Sequence, residues 1–326
     1  MNKLVSKSLQ RTHGKNFLLC HLSLFLIAAA LQMCSATMAG ESSHIIAWGD
    51  INYDMTNDVA QSGSSIAAIA SGDFHSLILR RDGNVVAWGD DRFGQSQVPS
   101  MLNRHGVVKI AAGNVHSLAL LGNGTVMAWG PSGGMYGDYG QAAVPTDLKK
   151  VKAIAAGGTH SLALQSDGTV AAWGFDAYGQ CDVPPGLSSV VAIAGGMYHS
   201  LALKRDGTVV AWGDDTHEQC NVPAGLNHVI AIAAGGYHNL ALKSDGTVVS
   251  WGMYGLGECD VPPGLNHVVA IATGDHHSVA LRRDGTVVAW GLNGAGQCNI
   301  PAGVKNVRAI SAHGDHTMVL VKASRK

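Results

Sequence analysis

The sequence predicts an all-β chain: a seven-bladed β-propeller of four-stranded blades, its ring closed by pairing N- and C-terminal strands in one blade. Three observations predict it. Trp-Gly recurs at Trp48, Trp88, Trp129, Trp173, Trp212, Trp251 and Trp290, in steps of 40, 41, 44, 39, 39 and 39 residues. A histidine opens an apolar run almost in step with it, at His75, His116, His160, His199, His238, His277 and His316. Self-similarity at this period marks a propeller or a solenoid. Finally, the units are out of phase at the two ends. The repeat opens with a third-strand segment, residues 44–48, and closes with first- and second-strand segments, residues 307–321. Each end supplies what the other lacks, whereas an open solenoid would leave both half-units with bare edges.

The first residues lie outside the repeat. Lys3, Lys7, Arg11 and Lys15 precede a mostly apolar run over residues 17–31, interrupted by Cys20, His21 and Ser23. Small residues follow, with cleavage positions after Ala36 or Ala39. This is the pattern of a secretory signal peptide, and the run is short for a membrane span. Residues 1–39 therefore read as a signal peptide and 40–326 as one propeller domain, secreted or periplasmic. A retained anchor is the alternative. Leu31-Gln32-Met33 before Cys34 lacks the small residues of a lipid-attachment site.

The net charge is −1, with no basic stripe, so nucleic acid lacks its usual electrostatic footprint. No later apolar run is long enough to span a bilayer. A monomer without membrane contact is expected once the leader is removed.

The unit around residues 190–222 shows the four segments. Strand A is Val-Val-Ala-Ile-Ala, B is His-Ser-Leu-Ala-Leu, C is Thr-Val-Val-Ala-Trp, and D is a short piece around Cys220–Val222. Such lengths suit strands rather than helices. Asp-Gly between B and C is a strong hairpin signal. Pro-Ala-Gly or Pro-Pro-Gly follows D and ends the sheet. On B, Leu201 and Leu203 face one way and Ser200 and Ala202 the other; on C, Val210 and Trp212 oppose Val209 and Ala211. A sheet with one wet face would alternate apolar with polar. These sheets are uncharged on both sides and must be sandwiched, large residues against small, as in radially arranged blades.

Cys181, Cys220, Cys259 and Cys298 also repeat every 39 residues. An even count in an exported chain suggests disulfides. Equivalent positions in neighbouring sheets are roughly 10 Å apart, however, and a disulfide needs Cα atoms within about 7 Å. Four unpaired thiols are expected.

The consensus, Gly-Gly-x-His-Ser-Leu-Ala-Leu-Lys-x-Asp-Gly-Thr-Val-Val-Ala-Trp-Gly followed by Gly-Gln, resembles the repeat of the regulator of chromosome condensation family. The resemblance covers the whole chain after the leader. The Gly-Gln-x-x-Val-Pro element, the short unit and Gln61-Ser62-Gly63 resemble the secreted seven-bladed bacterial propellers of that family, the beta-lactamase-inhibitory type. The resemblance implies a non-enzymatic binding propeller without a cofactor. Another branch exchanges nucleotide on a small GTPase through an inserted β-wedge. Here the longest irregular insertion, residues 131–139, is too short for one.

The seven histidines suggest a metal ring, but one copy per blade at a fixed position is what stacking asks for. His276, His313 and Asp315 break the pattern; they read either as metal ligands or as polar turn residues. Asp90-Asp91 and Asp214-Asp215 suggest acid–base pairs, but lack a nucleophile and read as solvated turns.

The aromatic residues are more informative. In an antiparallel A-B-C-D blade, the A–B and C–D turns open on one face. Phe74, Tyr198 and Tyr237 fall in A–B turns; Tyr53, Phe93, Tyr136, Tyr139, Phe175, Tyr178 and Tyr254 fall in C–D turns. None falls on the opposite face. Tyrosine is enriched where protein surfaces meet. The expected partner is a protein, held through Phe74, Tyr198, Tyr237, Phe93, Tyr136, Tyr139, Tyr178 and Tyr254. In the beta-lactamase-inhibitory type, aromatic residues just before the strand-B histidine contribute to the binding face. Phe74, Tyr198 and Tyr237 match that position; Val115, Thr159, His276 and Asp315 depart from it. A carbohydrate-binding propeller is the first alternative reading and a guanine-nucleotide-exchange-type regulator the second.

Overall fold

The computed structural model describes residues 43–50, 66–104, 106–131 and 137–322. The expected leader, residues 1–39, Tyr53, Gln61-Ser62-Gly63 and Tyr136 lie outside them. Among the described residues there are seven antiparallel sheets of three strands and one short 3-10 helix, Ser100–Arg104. Blade one is Ile66–Ser71, His75–Arg80 and Val85–Gly89; blade two is Val107–Ala112, Ser117–Leu121 and Val126–Trp129. Blade three is Val151–Ala156, His160–Gln165 and Val170–Gly174; blade four is Val190–Gly195, His199–Lys204 and Val209–Gly213. Blade five is Val229–Ala234, His238–Lys243 and Val248–Gly252; blade six is Val268–Thr273, His277–Arg282 and Val287–Gly291. No helix among the described residues is long and apolar enough to cross a membrane.

The seventh sheet is built from both ends of the described chain. Val307–His313 pairs with His316–Lys322, and Ser43–Gly49 takes the place of strand C. The register runs from Ser43 opposite Lys322 to Gly49 opposite His316.

The expected fourth strand is not a strand in any described blade; each sheet stops at strand C. Local bonding is the reason. In blade four, the Cys220 N–H is taken by the Asp215 carboxylate at 2.8 Å. Asn221 N–H goes to the Glu218 carbonyl and Val222 N–H to that of Cys220, at 3.1 and 3.0 Å. Pro223 has no N–H. The segment coils on itself and keeps no donors to offer strand C.

Strand B is buried on both faces, as its uncharged composition demands: Leu201, Ala202 and Leu203 are all 2% exposed or less. From blade one to blade six, the leucines of each strand B press onto the small B residue and the tryptophan of the next blade; blade seven instead offers Val319, and blade one Ile78. Leu162 and Leu164 meet Ala202 and Trp212; Leu201 and Leu203 meet Ala241 and Trp251. Seven such clusters link successive blades, including one that joins Met318 and Leu320 of blade seven to Ile78 and Trp88 of blade one.

Polar contacts lock the same seams. The Gln180 carbonyl of blade three accepts from both Trp212 Nε1 and Ser200 Oγ of blade four, at 3.0 and 2.9 Å. The pairing recurs at Gln95, Gln141, Gln219, Glu258 and Gln297.

All four described cysteines are free. The thiols of Cys181, Cys220 and Cys298 donate to carbonyls six residues back, at 3.2–3.4 Å. Burial pushes Cys181 and Cys220 up to about 12 and Cys259 and Cys298 up to about 11. Little thiolate exists at pH 8, so these thiols are poor nucleophiles. All four are expected to resist a disulfide reagent in the folded protein and to react after denaturation without reductant. Fewer than four reactive thiols beyond residue 39 would contradict the geometry.

Candidate functional site

Two positions in every repeat deliver variable side chains to one face. The first is the residue before the strand-B histidine. Its carbonyl accepts the N–H that follows the Trp-Gly pair: Tyr198 O from Asp214, Thr159 O from Phe175, Tyr237 O from Met253. Gly213 makes this closeness possible. It sits at φ +108°, and a Cβ there would lie 2.7 Å from the Tyr198 oxygen. The A–B turn and the loop after strand C are thus tied together on one side of the disc.

The second position lies two residues before the buried glutamine. In blade three, the Gln180 side-chain oxygen accepts the Tyr178 N–H at 3.0 Å; Gln95, Gln141 and Gln219 do the same for Phe93, Tyr139 and His217. The glutamine therefore shapes the loop with its side chain and the blade seam with its backbone.

These positions bring aromatic rings into one continuous chain. Tyr139 meets Phe175 edge-on at 4.8 Å between centroids. Phe175 meets Tyr178 and Tyr198, both at 6.0 Å, and Tyr178 lies 5.0 Å from Tyr198. Tyr198 continues to Tyr237 at 6.3 Å, which touches His217 at 4.8 Å and stacks on His276 at 6.2 Å. The chain runs from blade two to blade six. Tyr139 and Tyr178 are 47% and 50% exposed, while Tyr198 and Tyr237 are half-buried. Burial, followed by neighbouring phenols and the charges of Asp214 and Asp275, raises the Tyr198 and Tyr237 hydroxyls.

Tyr139, Tyr178, Tyr198 and Tyr237 are brought together by these contacts, through Phe175. Phe74 and Phe93 stand on blade one, with the Arg92 guanidinium 6.0 Å above the Phe93 ring. Tyr254 is a rim residue, 60% exposed. Three members were not among the expected contact residues: Phe175, His217 and His276. Repeat register finds two of them, since His217 is 39 residues after Tyr178 and His276 is 39 after Tyr237. Phe175 directly follows its Trp-Gly pair, where blades two, four and five carry Pro131, Asp214 and Met253.

The seven histidines belong to the frame. Six donate Nε2–H to the second residue of strand B in the next blade, at 2.7–3.0 Å. That residue spends its own donor on the glutamine-position carbonyl, so it can only accept from the imidazole. This fixes the Nε2–H tautomer and leaves each buried Nδ1 without a partner. Burial lowers His75, His116, His160, His238, His277 and His316 to about 3, and lowers His199 as well.

Blades six, seven and one set Asp275, Asp315 and Asp73 near each other. Burial first, then the charges of Asp275, Asp315 and Asp50, pushes Asp73 up to about 8. His313 Nδ1 lies 3.9 Å from Asp275 but accepts the Gly314 N–H at 2.9 Å, so that nitrogen carries no proton and the pair is not an ion pair. Burial lowers His313 accordingly. No group of three or more such side chains is arranged to hold a metal ion among the described residues.

Comparison with curated proteins finds no match. Among solved structures, Prp20p of Saccharomyces cerevisiae, reported with its binding to Gsp1p and histones, is 23% identical, covering 88% of this chain and 93% of its own, with a TM-score of 0.74. Yeast RCC1 (Prp20) bound to Kap60 is 22% identical over 99% of this chain and 97% of its own, TM-score 0.74. Human WBSCR16 is 18% identical over 87% and 100%, TM-score 0.68. These likenesses are of fold. The model of the regulator of chromosome condensation (RCC1) repeat matches residues 66–95, 107–141, 151–180, 190–219, 229–255 and 268–297. Six matched repeats span more than half of the sequence, and the chain belongs to the regulator of chromosome condensation repeat family.

Proposed function

We propose that this protein is an exported, non-catalytic, monomeric propeller that binds a protein partner through its aromatic face. A beta-lactamase or another extracytoplasmic protein is the kind of target this reading favours. The observation that carries it is the chain of touching rings from Tyr139 to His276. Stiff, half-exposed aromatics on a rigid frame are what interface anchors look like. A closed ring of seven blades, joined by the pairing of Ser43–Gly49 with His316–Lys322, would hold that frame still. The titratable groups favour binding over catalysis: six strand-B imidazoles are spent on blade seams and the thiols are held protonated. Binding of Prp20p to Gsp1p and histones supports a protein ligand; at 23% identity that likeness carries the fold and not an exchange activity.

The test is capture of partners from an exported-protein fraction, comparing wild type with Tyr198→Ala/Tyr237→Ala and with Asp206→Asn/Arg283→Ala on the opposite face. Loss of an anchor should cost about 2 kcal/mol or more of binding, and an opposite-face change far less. Phe74→Ala tests whether blade one belongs to the same surface. Thermal melts exclude unfolding. Neutral Tyr198 and Tyr237 with a sensitive opposite face would invert the assignment. Capture by a glycan array with no protein bound would favour the carbohydrate reading.

A further inference from the structure

The aromatic face is also strongly polarised in charge. Its A–B turns carry Asp73, Asp275 and Asp315, and its loops after strand C carry acidic residues in blades one to four, among them Asp91, Asp176 and Asp215. Among the described residues of those turns and loops, Arg92 is the only lysine or arginine, and it already bonds Asp90 at 2.9 Å. The opposite face, by contrast, mixes signs and pairs them. Lys204 meets Asp206 at 3.2 Å and Lys243 meets Asp245 at 3.7 Å, beside Arg205 and Arg283. A chain with a net charge of −1 has therefore gathered excess negative charge around its ring-lined face.

Loop construction alone does not explain this excess. Asp91, Asp176 and Asp215 each accept the backbone N–H five residues on, at 3.1, 2.7 and 2.8 Å. Asn293 does the same in blade six, accepting Cys298 N–H at 2.9 Å. A neutral amide serves the turn as well as a carboxylate, so the charge is surplus to the turn. All three carboxylates are exposed.

Aromatic faces ringed by carboxylates suit one chemistry. A guanidinium stacks on a ring while its N–H fork reaches an oxygen beside it. The chain builds this arrangement internally on blade one, where Arg92 lies over Phe93 and bonds Asp90. On blades three to six the rings and carboxylates are present, and no residue of this chain supplies the guanidinium among the described loops. We propose that the partner presents an arginine-bearing segment to this face, its guanidinium groups lying against Tyr178, Tyr198 and Tyr237 and facing Asp176, Asp215 and Asp275. The inference rests on the reading of this face as the partner site and adds the chemistry of what it takes.

The test uses the full chain as purified and two labelled nonapeptides of the same Gly-Ser-rich sequence. One carries three arginines; the other carries citrulline, which has the same shape without the charge, at those positions. Fluorescence anisotropy at low and high salt measures binding to wild type, Tyr198→Ala/Tyr237→Ala and Asp176→Asn/Asp215→Asn. The last variant copies Asn293 and should fold normally, which a thermal melt verifies. The arginine peptide is expected to bind about tenfold tighter than the citrulline peptide, more weakly as salt rises. It should lose about threefold in the Asp→Asn variant and nearly all binding in the Tyr→Ala variant. Equal affinity for the two peptides, both lost in the Tyr→Ala variant, would overturn the charge inference and leave the aromatic face standing. Arginine-peptide binding that ignores the tyrosines would sink both. Binding of neither peptide would also overturn the charge inference, with the face then judged by partner capture alone.

Discussion

Acidification is expected to unfold this protein cooperatively, with a midpoint near pH 5. The strand-B histidines are held neutral in the folded state, six of them at about 3 and His199 also lowered. In the unfolded chain they titrate at the ordinary histidine value of about 6.5. Below that value the unfolded chain binds protons that the folded chain refuses, so stability falls as pH falls. The loss starts near pH 6.5 and continues toward pH 3, where the folded imidazoles would protonate. At pH 5 each of the six held at about 3 favours the unfolded state by about 2 kcal/mol. These six together, with His199 adding in the same direction, rival the roughly 5–15 kcal/mol by which domains are commonly held. Asp73 works in the opposite direction, since at about 8 it holds a proton that an unfolded aspartate releases, but it offsets little more than one histidine. Urea unfolding at pH 7, 6 and 5 measures the slope. A stability that stays flat from pH 7 to 5 would mean that the imidazoles are not buried neutral.

Gly196→Ala is expected to cost about 3 kcal/mol or more, far above an ordinary surface change. A Cβ at this position would overlap the His199 ring and lie 2.6 Å from the Gly235 carbonyl of the next blade. Neither neighbour can yield. The His199 ring is pinned by its bond to Asn239 at 2.7 Å. The Gly235 carbonyl is held by Met197 N–H at 3.2 Å, and Gly196 N–H is tied to the His199 carbonyl at 2.9 Å. The same crowding recurs at Gly72, Gly113, Gly157, Gly235 and Gly274. Gly225→Ala is the control: its φ is +78° but nothing lies within 4 Å, so only the backbone term of about 1 kcal/mol applies. Thermal melts of the two variants separate crowding from conformation. Equal melting temperatures would show that the imidazole moves freely aside.

Much of the architecture was legible because the repeat is its own control. A position occupied seven times by histidine or tryptophan belongs to the frame, and the structure spends those side chains on seams between blades. Residues that vary at a fixed position are freed from that duty. Phe93, Tyr139, Tyr178 and His217 share one such position, and Tyr198, Tyr237 and His276 another. Tyrosines on one face could be counted by strand alternation alone. That Phe175 joins Tyr139 to Tyr198 could not, because it depends on how far apart neighbouring loops sit across a blade seam.

The sequence by itself determined the period, the three core strands of each blade, the large-on-small complementarity of Leu201 with Ala241, and the four unpaired thiols. Each of these follows from local pattern or from repetition. Tertiary structure decided the fate of the fourth segment, where Asp215, Glu218 and Pro223 consume or remove the donors a strand would need. It also decided the histidine tautomer. Nothing near His160 in sequence says that Ser200 in the next blade has already spent its hydroxyl proton on Gln180, and a hydrogen bond's direction is set by what its acceptor is already doing.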